Sequence, residues 1–118
     1  MVSADGAIVL SASGTITVDN IIDSGTSAAL HSSAGAISVN ALSGVLSGGA
    51  ITLSAAGAIT NAGDLSAETM LDATAGSTLT NSDSGFIFSR LGKTRLGGAR
   101  LSLGGDVYSS SALTLNAN

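Results

Sequence analysis

The segment GAIVLSASGTIT beginning at Gly6 returns 43 residues later as GAITLSAAGAIT beginning at Gly49, and a chain that spells one phrase twice must set both copies in equivalent surroundings. Neither copy holds a cysteine, a histidine or a charged residue. The duplication therefore repeats scaffold and no reactive group. LSASGTITV from Leu10, LHSSAGAISV from Leu30, LSAAGAITN from Leu53 and LDATAGSTLTN from Leu71 share one grammar when aligned. A Leu opens, small residues follow, then a Gly (Gly14, Gly35, Gly57, Gly76), then an aliphatic (Ile16, Ile37, Ile59, Leu79) among small hydroxylated neighbours. These glycines are 21, 22 and 19 residues apart, a drifting period near twenty.

Within each unit the pattern has period two: Ile8 and Leu10 flank Val9, Ile16 and Val18 flank Thr17, Ile37 and Val39 flank Ser38, Ile51 and Leu53 flank Thr52. Such alternation belongs to short strands with one buried face. Frequent Gly and β-branched residues, with no apolar stripe at helical spacing, disfavour helix. A third aliphatic column is read at Ile22, Leu42 and Leu65, with Ile87 a looser fit. Three inward stations per unit predict an all-β fold, a parallel β-helix (solenoid) of about five to six coils of roughly 20 residues each, whose coils bury their faces on one another. In a sandwich nothing makes residue n resemble residue n+21. In a coil the two lie one above the other at ~4.8 Å, so like stacks on like, and the whole makes a rod roughly 25 Å long. A single β-helix segment is expected over 1–118, with regular repeats over about 6–89 and divergent, base-containing coils over about 90–118.

Glycines are expected at corners with φ > 0. Asn61 and Asn81 hold matching places, where stacked amides bond to backbone at a bend. Thr17, Ser38, Thr60 and Thr80 form an outward hydroxyl ladder.

Functional chemistry is sparse. Eight acids and four bases leave a net charge of −4, which argues against a nucleic-acid partner. No stretch approaches the ~18 to 20 apolar residues of a membrane-spanning helix, so membrane insertion is not expected. The segment MVSADGAIVLSASG lacks a basic region ahead of an apolar run, so export information is expected elsewhere. The acids mostly stand beside Gly, Ser or Asn at turn-like positions, with no clustered carboxylates to serve an acid–base mechanism. With no Trp and one Tyr an aromatic sugar platform is not expected either, and the chain reads as no enzyme, with no cofactor. His31, the one histidine, faces outward beside Leu30 and makes no metal site alone. Gly104-Gly105-Asp106 echoes calcium-binding solenoid repeats in a single copy, too little for a stacked site.

All four bases, Arg90, Lys93, Arg95 and Arg100, lie in one eleven-residue window. They read as partners for acids on adjacent coils, as a basic patch for an acidic glycan or anionic surface, or as charges that discourage stacking at a coil end. Phe86 and Phe88 flank Ile87 and read as core or end-cap packing, with a ligand groove as the other reading. The candidate surface-contact residues are therefore Arg90, Lys93, Arg95, Arg100, Thr17, Ser38, Thr60 and Thr80.

The phrase GGAITLSAAGAITNAGDLSAE from Gly48, followed by LDATAGSTLTNSDS, resembles the haemagglutinin-type repeats of filamentous-haemagglutinin-like exoproteins. The resemblance covers about residues 6–89 well and 90–118 loosely. It implies a right-handed β-helix and a structural piece of the shaft of a secreted or surface-displayed bacterial adhesin, or of a contact-dependent toxin stalk, exported by a partner transporter. It further implies an extracellular or cell-surface location. The expected partners are neighbouring coils of a longer chain, end-to-end copies of the chain, and a host or neighbour-cell surface glycan or protein. The alternative reading is a surface-binding solenoid module for glycan or ice, using the hydroxyl ladder or the basic window, or a self-stacking filament subunit. Neither end carries an obvious capping helix, so the chain alone is expected to stack or aggregate.

Overall fold

Alternating runs of three to six residues cannot bury a face alone, so they pair with runs one coil away. The computed structural model, which describes residues 2–117, winds them into a parallel β-solenoid of about six coils. The first sheet stacks β1 (Val2–Ala4), β4 (Ile21–Ser24), β7 (Gly44–Ser47), β10 (Asp64–Ala67), β13 (Phe86–Ser89) and β16 (Asp106–Ser109). The second stacks β2 (Ile8–Ala12), β5 (Ser27–Ser32), β8 (Ala50–Ala55), β11 (Met70–Ala75), β14 (Thr94–Gly98) and β17 (Leu113–Ala117). The third stacks β3 (Ile16–Val18), β6 (Ile37–Val39), β9 (Ile59–Asn61), β12 (Thr78–Asn81) and β15 (Arg100–Leu103). Every pairing is parallel and joins strands one coil apart. No helix among the described residues is long and apolar enough to cross a membrane.

Like does stack on like. Ile16, Ile37, Ile59, Leu79 and Leu101 form one inward column. The repeated dodecamer has its physical reason in the second sheet, where Leu10, Leu30 and Leu53 lie in register. There the repeat grammar misaligns one coil: Leu71 lies over Ile51, and Ala73 takes the place over Leu53. The two coils pair at an offset of 20 residues, which keeps Leu79 over Ile59 and sets Gly76 against Ala56 and not against Gly57.

The third column also needs correction. Ile22, Val45, Leu65, Ile87 and Val107 fill it, so Ile87 fits well and Leu42 does not belong. Leu42 is fully exposed, with φ 63°. Two more residues separate Val39 from Val45 than separate Asn61 from Leu65, and they form a tight turn. Ser43 N–H donates to Asn40 O (3.2 Å) and its hydroxyl to Val18 O (2.9 Å), which anchors Ser43 and expels Leu42.

The corner glycines serve close approach and not a left-handed backbone: no described glycine has positive φ. A Cβ on Gly92 would stand 1.6 Å from the Thr69 carbonyl oxygen of the coil before. Serine completes the corners. The buried Ser24 hydroxyl donates to Gly6 O (2.7 Å) and Ser32 to Gly14 O (2.5 Å), each tying a corner carbonyl of the preceding coil that strand pairing leaves over.

The interior is thus aliphatic, from Ile8 to Leu96, with no aromatic ring in it. It is interrupted by Thr94, buried over Leu71 in the second sheet, and by a polar rung pair in the third: Asn61 and Asn81 are buried, and Asn61 Nδ2 donates to Asn81 Oδ1 (3.0 Å) and Gly63 O (3.0 Å). The molecule measures 35 × 32 × 22 Å. Six coils are as broad as they are tall, and a rod with reach needs more of them.

Candidate functional site

Strand alternation decides which polar side chains reach solvent. In the third sheet Thr17, Ser38, Thr60 and Thr80 stand in register, with Ser102 above them. Three-residue strands offer one outward residue per coil, so the ladder has a single rank. The neighbouring position becomes part of the sheet only at Thr78, and the next coil places Arg100 over it. Ser38 is further occupied by a 3.3 Å bond from its hydroxyl to Asn40 Oδ1.

The four bases do not share one face. Arg90 and Lys93 lie at the corner between the first and second sheets, Arg95 faces out from β14, and Arg100 opens β15. Arg90 pairs with Glu68 on the coil below: its Nε donates to Glu68 Oε1 at 2.7 Å, and its Nη2 bonds to the same oxygen. Arg95 stacks between Asp72 below and Thr114 above. With Lys93, Met70, Asp72 and Thr114 it lines a hollow of about 260 Å³. A window that is compact in sequence is spread because each coil turns through three sheets in some twenty residues.

The hydrogen bond from Arg90 holds Glu68 below the ordinary carboxylate value of 4.5; desolvation opposes it, the charge of Arg90 adds a smaller lowering, and Glu68 in turn pushes Arg90 upward. A lowered carboxylate contributes stability that is in place above the ordinary value and is lost as pH falls through the lowered one. Arg90 stays charged throughout. Both groups are solvated, so salt and water screen the pair. Glu68→Gln is therefore expected to lower the melting temperature only slightly at neutral pH and low salt. Its difference from the parent should shrink as pH falls below the ordinary carboxylate value and as salt rises, which paired thermal melts would check.

The acids show no catalytic grouping. Asp23 and Asp72 lie within strands on the outer face and not in turns. Among the described residues no three His, Cys, Asp or Glu side chains gather to hold a metal ion. His31 is exposed on β5, between Ser11 and Ser54 of the adjoining coils.

One grouping escapes a residue-by-residue reading. Ile87 takes the inward place, so Phe86 and Phe88 project from the outer face and are not core or end-cap packing. Tyr108, one coil later, registers with Phe88. The ring centroids of Phe86 and Phe88 are 5.7 Å apart and those of Phe88 and Tyr108 5.2 Å, both near-parallel. The twenty-residue offset between Phe88 and Tyr108 equals the coil period, and that was the signal available in the sequence.

A family model described as haemagglutinin repeat matches residues 1–41 and 27–118. No curated protein and no solved structure matches the chain significantly.

Proposed function

We propose that this chain, which belongs to the haemagglutinin repeat family, is a segment of the shaft of a secreted or surface-displayed bacterial adhesin, acting through reach and repeated weak contact and not through catalysis. The observation that carries this reading is the continuity of three parallel sheets through successive coils, each coil offering the next the same strand edges that it received. Such a fold has no intrinsic length. Its coils are units of extension, and its outer face, rich in small hydroxyls, is a surface for many weak contacts.

The partners on this reading are further coils of a longer chain or copies docked end to end, with a glycan or protein of a host or neighbouring cell as the surface reached. The last coil supports docking: Leu113 and Leu115 of β17 are about half exposed, beside a strand edge open to pairing.

The test is length. Two copies fused so that the coils continue in register should extend the maximum dimension in small-angle scattering by about 25 to 30 Å, six coils at ~4.8 Å. The 118-residue polypeptide alone should sediment as assemblies that grow with concentration, and Leu115→Lys should suppress them. A fused pair that fails to lengthen would overturn the shaft, and a single copy that stays monomeric at high concentration would overturn end-to-end docking.

A further inference from the structure

The outer face of the first sheet carries a feature that a passive shaft does not need. One outward column reads Asp64, Phe86, Asp106, and its neighbour reads Ser66, Phe88, Tyr108. All three aromatic residues of the chain meet here, and none serves the interior. Phe88 lies between the other two rings, with interplanar angles of 21° and 25°. Together they form one wall of an open hollow of about 610 Å³, completed by Arg90, Asp106 and Val107.

We propose that this shelf binds the apolar face of a neutral sugar ring within an oligosaccharide. Rings this close and this nearly parallel are offset-stacked, each covering part of the next, and the half-exposed Tyr108 at the end of the row leaves the most π surface open to a ligand. A pyranose offers a matching face of C–H bonds and a rim of hydroxyls. That rim meets the Asp106 carboxylate, the Tyr108 hydroxyl and the guanidinium N–H groups of Arg90 that Glu68 leaves over, hydrogen-bonding groups set around an apolar floor as ligand sites require.

Charge selects the kind of sugar. Arg90, the one cation lining the hollow, is already paired with Glu68. Asp64 and Asp106 stand on either side of Phe86, and the chain carries a net charge of −4. A sulfated or carboxylated glycan would approach these carboxylates with no unpaired cation in the hollow to receive it, whereas a neutral ring meets no such repulsion. A second copy docking face to face would bring the same carboxylates against each other. The proposal deepens the surface-contact half of the function above and rests on that reading for its setting.

The probe is cellotetraose, with a heparin tetrasaccharide for comparison. Because the chain has one Tyr and no Trp, tyrosine emission reports on the shelf directly, and it should change saturably with cellotetraose. Saturation-transfer NMR should show the ring C–H protons in contact. Tyr108→Ala, and Phe88→Ser, which copies Ser66 of the coil below, should each weaken binding about tenfold, the scale of one lost ring contact. Val9→Ala, at an exposed residue of the second sheet, should leave binding unchanged.

Absence of a saturable response, equal binding by all variants, or preference for the heparin fragment would overturn the proposal. So would self-association that Tyr108→Ala abolishes, because the shelf would then belong to a second copy. A fused pair carrying Tyr108→Ala should still lengthen, which keeps loss of the shelf distinct from failure of the shaft.

Discussion

Gly49→Ala is expected to destabilise the fold by about 3 kcal/mol or more, the upper range for forcing extra atoms into a packed interior. The new Cβ would stand 1.8 Å from the carbonyl oxygen of Thr26. That oxygen is backbone and cannot rotate aside, so relief requires two coils to part. The Gly49 carbonyl meanwhile accepts N–H bonds from Glu68 (3.0 Å) and Thr69 (3.1 Å) of the coil above, so a shift propagates. Gly14→Ala is the informative contrast. A Cβ there meets nothing within 4 Å, and its φ is not positive, so alanine should stabilise by about 0.4–1 kcal/mol through the unfolded chain. The difference lies in direction: the absent Cβ atoms of Gly25, Gly49 and Gly92 all point at the preceding coil, and Gly14 sits in the first described coil. Urea unfolding followed by circular dichroism measures both. Two substitutions with equal effects would contradict this account of the corners.

Asn81→Leu should cost roughly 2–4 kcal/mol despite matching the side chain's size, because buried groups deprived of a partner each lose about 1–3 kcal/mol. Asn81 Oδ1 accepts from Asn61 Nδ2 at 3.0 Å, and Asn81 Nδ2 donates to Asp106 O at 3.1 Å and Gly85 O at 3.4 Å. One side chain thus links three successive coils. Gly85 is part of the same device, since a Cβ there would stand 2.1 Å from Asn81 Oδ1. The leucine regains some apolar burial, which offsets the loss only in part. Val39, fully buried below Asn61 in the same column, shows that an apolar side chain is accepted without the network. Converting both asparagines together should therefore cost less than the sum of the single changes. Additive losses would mean that the amides do not act as a pair.

Much of this architecture was legible because a solenoid writes its contacts as a period. Ile16, Ile37, Ile59 and Leu79 could be aligned by eye, and so could the hydroxyl ladder and the asparagine pair, since spatial neighbours recur about one coil apart. The reading failed where the period drifts. The spacing puts Leu42 in a column that Val45 fills, because two extra residues in a corner look the same as two residues of strand until the turn is seen. The apolar character of Phe86 and Phe88 points to core or end-cap packing, with a ligand groove as the other reading, and the inward place of Ile87 between them puts both outside.

The functional surface divides along the same line. The lack of clustered acids, cysteine or a second histidine followed from composition and spacing. Where the four bases go did not, because a window shorter than one coil bends through two corners and two sheets. Nor did the aromatic shelf, which depends on Tyr108 falling in register with Phe88.

The sequence by itself determined the repeating β-coil, its parallel stacking and most of its inward columns, because strand alternation and coil period are properties of order along the chain. Only the tertiary structure decided the corner lengths, the close approach that demands glycine, the pairing of Arg90 with Glu68, and the meeting of three rings on one face. Each of those depends on the distance between residues some twenty positions apart, and a drifting period leaves that distance undefined until the coils close on one another.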